Sequence, residues 1–352
     1  MSADGPDTED RSSPDAVAAL REIGFWLERG REKTHRVKAY RRAADILAGL
    51  GESERERRRA ARSWQELTGI GPKTAAVIEE AYAGAIPGYL AELRAAAKPI
   101  GAEGAELRAV LRGDLHTHSD WSDGGSPIAE MMGTAAALGH EYCALTDHSP
   151  RLTVANGLSA QRLRRQLDVV AELNARLAPF RVLTGIEVDI LDDGSLDQEA
   201  DLLAELDIVV ASVHSRLRDD RDTMTRRMVY AVANPRVDVL GHCTGRLVEG
   251  GRGTRPESEF DAEIVFEACR RYGTAVEINS RPERQDPPER LIRLADEMGC
   301  DFALDTDAHA PGQLDWQGYG CARAVACGVE AGRIINTFPV DDLLEWTRSP
   351  GG

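Results

Sequence analysis

Between residues 111 and 305 the chain repeats one rhythm, a short β-rich run followed by an amphipathic helical stretch. The runs fall at 111–115, 141–146, 181–187, 207–213, 237–241, 274–278 and 301–305. Strands alternating with helical patterns predict parallel β/α units, and seven of them at this spacing predict a parallel sheet, most simply a barrel. That architecture also says where chemistry can sit. In β/α barrels the site is built on the rim where the strands end. Six of the eight histidines fall at such ends, a placement that chance scatter does not produce.

The first of these ends reads "GDLHTHSDWSDGG". If 113–118 is extended, His116 and His118 point to the same face, because side chains alternate along a strand. Asp123 follows. The second run ends in His148, the third in Glu187, the fourth in His214, the fifth in His242, and the seventh in Asp307 and His309. Those nine nitrogen and oxygen donors exceed what one ion needs. They imply two or three divalent ions, Mn, Zn or Fe, bridged by a carboxylate. The sixth run ends in "EINS", where only Asn279 is read as a weaker polar candidate. His35 and His140 lie off the strand ends and read as ordinary histidines. Cys243, beside His242, reads as packing rather than ligating.

The first hundred residues have a different character. Residues 14–97 read as a small all-helical block, with a helix–hairpin–helix at 63–83 around "LTGIGPKTAAVIEEAYAG". Gly69 and Gly71 supply a tight turn, and Pro72 suits a first helical turn. Such a turn aims backbone N–H groups and a helix N-terminus outward as a phosphate site, with Lys73 adding charge. Residues 29–62 hold 12 basic and 5 acidic side chains, whereas residues 101–352 carry a net charge of −17. Residues 1–13 are polar and read as a disordered tail. The Ala- and Gly-rich stretch 98–110 reads as a linker ahead of the barrel domain at 111–345. No apolar run approaches a membrane span. Six cysteines without paired CxxC spacing suggest buried thiols in a reducing cytoplasm.

Two barrel families place His-x-His after the first strand. One usually bridges its metals with a carboxylated lysine, but the four lysines here (33, 38, 73 and 98) all precede the barrel. The motifs "DLHTHSDWSDG", "LTDHS", "GIEVDILDDGSLD", "ASVHS", "NPRVDVLGHCTGRL", "EINSRPERQDPP" and "DTDAHAPGQLD" resemble the other, the PHP (polymerase and histidinol phosphatase) domain. The nearest version is similar to the one that ends bacterial family X DNA polymerases. The helical block resembles their small DNA-binding domain through "HRVKAYRRAADIL" and "LTGIGPKTAAVIEE". The resemblance implies a distorted seven-stranded TIM-like barrel behind a helix–hairpin–helix domain, without the polymerase core and so without polymerase activity. It puts the lyase lysine that some of those polymerases carry at Val77, which cannot form a Schiff base.

The same resemblance implies one ion on His116, His118, Glu187 and Asp307, a second on Glu187, His214 and His242, and a third on Asp123, His148 and His309. Glu187, Asp307 and His214 would be the catalytic core, with a metal-activated hydroxide as nucleophile. Asp114, Asp147 and Asp189 are candidates to orient the histidines. Arg246, Arg281 and Arg284 are candidates to hold substrate phosphate, as is Arg218, and Trp121 is a candidate to stack or pack. On the helical block, Gly69, Gly71, Lys73, His35, Lys38, Tyr40 and Arg41 match the DNA-contacting side. The expected function is a phosphoesterase acting on DNA, a 3′–5′ exonuclease or 3′-end processing enzyme. A small-molecule phosphatase, or a DNA-binding accessory protein with a degenerate barrel, are the other readings.

Overall fold

The computed structural model describes residues 15–251 and 253–348, in two compact units that divide between Lys98 and Pro99. The tail expected over 1–13 lies outside the described residues. The first unit contains α1 (Ala16–Arg29), α2 (Thr34–Gly49), α3 (Glu52–Ala61), α4 (Pro72–Tyr82) and α5 (Gly88–Ala96). Local chemistry sets its boundaries. The Asp15 carboxylate caps α1 by accepting from Val17 N at 2.8 Å and Ala18 N at 3.0 Å. Gly69, at φ 106°, makes the turn that leads into α4, and Pro72 opens that helix. Leu20, Ile23, Leu27, Leu47, Trp64, Ile78 and Leu90 form the buried center.

The second unit is the expected barrel of parallel strands: β1 (Gly113–Asp114), β2 (Tyr142–Leu145), β3 (Arg181–Asp189), β4 (Ile208–Ser212), β5 (Val239–Leu240), β6 (Ala275–Asn279) and β7 (Phe302–Asp305). They pair in chain order, each parallel to the next. Side chains alternate between two clusters. Tyr142, Ala144, Leu183, Ile208, Val210, Ala275 and Ala303 pack together in one, with Ile335 and Leu343 from the C-terminal segment. Ile186, Val188, Val209, Ala211, Val276, Ile278, Phe302 and Leu304 belong to the other, against the helices. The face shared by Leu183, Ala275 and Ala303 continues, two and four residues on, through Glu187, Glu277 and Asp307.

Of the stretch 98–110, expected to be a linker, all but Lys98 is built into this unit. A 3-10 turn (Ala102–Gly104) and α6 (Ala105–Val110) lie against the helix Gln317–Cys327. Its small residues serve close packing. A Cβ at Gly104 would stand 2.4 Å from Ala322 N, and one at Gly101 would stand 1.9 Å from Gly318 O.

Seven strands leave a seam, because β1 and β7 share only the isolated bridge between Thr117 and Ala308. Side chains supply what the ladder does not. Asn336 Nδ2 donates to Gly113 O, Leu304 O and Asp305 Oδ1, while its Oδ1 accepts from Leu304 N at 2.7 Å. Gln317 Nε2 donates to the same two carbonyls at 2.9 Å each. Asp305 Oδ1 accepts from Leu115 N at 2.8 Å, and Asp114 Oδ1 accepts from Thr306 N at 3.2 Å. Replacing Asn336 with Ala leaves Leu304 N without its acceptor, while Gln317 still reaches both carbonyls and Leu115 N still reaches Asp305. We expect it to cost roughly 1–3 kcal/mol, read as a lower denaturation midpoint with an unchanged slope.

Candidate metal centre

The rim is assembled at the C-terminal ends of strands, by Glu187 within β3 and by residues in the segments that follow β1, β2, β4, β5 and β7. Thr117 Oγ1 donates to Ala144 O at 2.6 Å and Thr117 N to Thr146 Oγ1 at 3.0 Å, so the histidines on either side of it turn inward together. His116 and His118 are both fully buried, with ring centroids 5.1 Å apart. The expected sharing of one face is what the structure shows, although the strand proper ends at Asp114. Asp307 and His242 sit at φ 52° and 20°, a backbone region that side chains other than glycine rarely adopt.

Glu187, 1% exposed, lies at the middle. Its Oε2 is 3.3 Å from His116 Nε2, 3.6 Å from His118 Nε2 and 2.8 Å from His148 Nδ1. Its Oε1 is 3.2 Å from His214 Nε2 and 2.8 Å from His242 Nε2. His118 Nε2 is 3.4 Å from Asp307 Oδ1. Asp123 Oδ1 stands 3.4 Å from His148 Nε2 and 3.2 Å from His309 Nε2. All nine expected ligands are thus brought together. His148 faces two ways, Nδ1 toward Glu187 and Nε2 toward Asp123, and so adjoins the middle group as well as the third.

Several of these atoms lack what buried polar atoms require. His116 Nε2, His118 Nε2, His148 Nδ1, His214 Nε2 and Glu187 Oε2 are buried with no hydrogen-bond partner. They face one another, and three compact groups result: His118, Asp123, His148 and His309; His116, His118 and Asp307; and His148, Glu187 and His214. Imidazole nitrogens and carboxylate oxygens at this density suit divalent ions of the Mn, Fe or Zn type.

The electrostatics agree. Burial works against the Glu187 charge, but His214, His116 and His148 hold its carboxyl well below the usual range. Asp307 is likewise held low against burial by Arg281 and Arg284. Burial, with His309 and His148 beside it, holds the His118 imidazole down to about 3, so the ring is neutral at neutral pH with one nitrogen lone pair free. His148 goes the other way. Glu187 and Asp123 outweigh burial and raise it to about 10.

Some histidines are fixed from behind. His214 Nδ1 meets Asp189 Oδ1, as expected for that aspartate. The other two aspartates do different work. Asp147 accepts from Ser119 N, Ser119 Oγ, Ser122 Oγ and Gln166 Nε2, and so clamps the loop that carries Asp123. Asp114 binds Thr306 and the His116 amide at the seam. Glu277 was not singled out from the sequence. It is fully buried, and its Oε1 lies 2.6 Å from His116 Nδ1. The available signal was an acidic residue inside an apolar strand, at the same alternation as Glu187.

Arg281 and Arg284 lie beside Asp307: Arg284 Nε donates to Asp307 Oδ2 at 3.0 Å, and Arg281 Nη1 to Asp307 O at 2.9 Å. Arg246 is used differently from expectation. Its guanidinium binds the carbonyls of Arg284 and Gln285 and faces Glu257, which leaves it a loop-building role. Trp121 packs partly against the core. All six cysteines are buried and free.

In the helical unit, His35, Tyr40, Gly69, Gly71 and Lys73 line one cavity of about 810 Å³, together with Val77. Lys38 is exposed outside it. Two of the expected DNA-facing residues are turned to internal use. Tyr40 is buried and stacks on Tyr89 at 5.8 Å, and Arg41 pairs with the buried Glu28 at 2.6 Å. The Gly71 amide donates to Thr74 Oγ1 at 3.0 Å, so it is spent within the turn. No helix among the described residues is long and apolar enough to cross a membrane.

Two outcomes follow for the center. Glu187→Gln removes the charge between five imidazoles, and elemental analysis of the purified variant is expected to show lower metal content than the parent. Loading ions at neutral pH is expected to displace the His148 proton. Affinity then climbs as pH rises toward 10, and calorimetry in buffers of different ionization enthalpy reads the proton released.

Comparison with known proteins fits this architecture. Residues 11–84 match a helix-hairpin-helix domain and residues 114–281 match the PHP domain. The chain is 40% identical over 233 residues to the DNA polymerase/3′-5′ exonuclease PolX of Bacillus subtilis, covering 66% of this chain and 40% of that one. It therefore spans well under half of that relative's length. It is 31% identical over 207 residues to a probable phosphatase of Thermoanaerobacter sp., covering 56% of this chain and 78% of that one. A probable phosphatase of Shewanella sp. is 28% identical, covering 67% and 87% respectively. The chain belongs to the PHP family, as a phosphoester hydrolase whose metal-binding type of barrel follows a helix–hairpin–helix domain.

Proposed function

We propose that this chain hydrolyzes phosphodiester bonds in DNA, removing nucleotides from or trimming 3′ ends. The observation that carries the reading is the presence on one chain of the nine-ligand rim and a helix–hairpin–helix unit. The 3′-5′ exonuclease name of the Bacillus relative supports it. In this reading His35, Lys38, Gly69 and Lys73 contact the DNA backbone. Lys73 stands exposed in the first turn of α4, where a helix N-terminus favors phosphate.

At the barrel rim, His116, His118, Glu187 and Asp307 would hold one ion, Glu187, His214 and His242 a second, and Asp123, His148 and His309 a third. Bound ions supply activation of water and neutralization of phosphate charge. The chain's own groups do the rest. Arg281 and Arg284 sit at the Asp307 edge with side chains 11% and 12% exposed, placed to hold a phosphate's equatorial oxygens by charge-assisted hydrogen bonds. Asp189 holds His214 in the tautomer that leaves Nε2 facing Glu187. Asp147 fixes the Ser119–Asp123 loop so that the carboxylate keeps its station.

A panel of single-stranded, gapped and blunt DNA, beside small phosphomonoesters, with Mn or Zn supplied, tests the reading. Nucleotide release from DNA is expected, and Lys73→Glu is expected to weaken it on every sequence while lowering the salt slope by about one. Efficient hydrolysis of a small phosphomonoester with intact DNA left behind would favor the second reading, a small-molecule phosphatase, which the probable phosphatases among the relatives support. That activity would be indifferent to Lys73→Glu.

A further inference from the structure

Glu277 lies behind the metal ligands rather than among them. It is 0% exposed, and each of its carboxylate oxygens is engaged by a different part of the center. Oε1 is 2.6 Å from His116 Nδ1, which fixes that ring with Nε2 toward Glu187 Oε2. Oε2 accepts from the backbone N–H of His242, at a residue whose φ is 20°, and from Asn279 Nδ2 at 3.2 Å. Asn279 Nδ2 also donates to Asp307 Oδ2 at 3.2 Å. One buried side chain therefore reaches His116 directly, His242 through its backbone, and Asp307 through one amide.

Those three ligands are divided between the two sides of Glu187. His116 faces Oε2 of that carboxylate and His242 faces Oε1. Asp123, His148 and His309 receive no hydrogen bond from Glu277. We propose that Glu277 is a positioning residue that ties together the two metal positions sharing Glu187, and that the Asp123–His148–His309 position depends on it only at one remove, through His148 and Asp307. This rests on reading the rim as a metal center.

The two-ended geometry explains why a carboxylate stands there. It accepts from donors at both oxygens. An amide offers one acceptor, so Gln would set an NH₂ against either the His116 Nδ1–H or the His242 N–H. Outer partners of this kind, when removed, weaken metal binding by roughly 10- to 100-fold.

The test measures metal stoichiometry by elemental analysis and dissociation constants by chelator competition, using Mn²⁺ and Zn²⁺ on the full chain. The parent, Glu277→Gln, Glu277→Asp and Asp123→Asn are compared, with thermal melts of the metal-free forms. Glu277→Gln is expected to loosen the ions held through Glu187 by roughly tenfold or more and to loosen the remaining ion distinctly less. Asp123→Asn should give the reverse pattern. Glu277→Asp keeps the charge and loses the reach, so it should behave like Glu277→Gln. Parental affinity at every position in Glu277→Gln, or in Glu277→Asp, overturns the proposal while the metal reading stands. Equal loss of all ions with a depressed melt of the metal-free form also overturns it, since the residue is then structural. A parent chain that takes up no ion removes the metal reading itself.

Discussion

One buried carboxylate organizes the center. Glu187 stands within 3.6 Å of five imidazoles, two or three on each oxygen, and four different strand ends deliver them. A charge in that position is costly to bury unless its partners stay close. Burial does raise the penalty, and the surrounding histidines outweigh it. The carboxylate and the imidazoles therefore hold each other's ionization in place: His148 is driven up by Glu187 against burial, whereas His118 is driven down by burial and by the His309 and His148 rings. A cluster with both kinds of imidazole can give up protons on one side while offering bare lone pairs on the other.

That arrangement depends on closing a seven-stranded sheet. The ligands after β1 must meet those after β7, and the two strands do not pair along their length. Asn336 and Gln317 bridge Gly113 O and Leu304 O, while Asp305 accepts from Leu115 N and Asp114 from Thr306 N across the gap. The amides are as necessary to the rim as its ligands, because each unpaired backbone group left in that interior would cost free energy. Further along the same seam His118 N donates to Ala308 O at 2.8 Å, which brings His118 against Asp307 and His309.

Much of this was legible in the order of residues. Alternation put His116 and His118 on one face, and the β/α rhythm put six histidines on one rim. The misreadings have physical causes. Gly101 and Gly104 look like linker glycines but are small because the helix Gln317–Cys327 presses on them. Tyr40 and Arg41 look like a DNA-facing pair on an amphipathic helix, yet Arg41 turns toward Glu28 and Tyr40 toward Tyr89. Arg246 carries a charge suited to phosphate, but carbonyls from its neighboring loop reach it first. Glu277 was passed over because its strand end offered no histidine.

The sequence by itself determined that nine histidine and carboxylate side chains gather at one end of the barrel, because strand periodicity and parallel topology leave little freedom there. Only the tertiary structure decided which ligands share a partner, which aspartate orients a ring and which braces a loop, and that Glu277 stands behind two positions at once. Those choices depend on distances of a few ångströms between strands far apart in the chain. His116 and Glu277 are 161 residues apart in sequence and 2.6 Å apart in space, and no local pattern encodes that meeting.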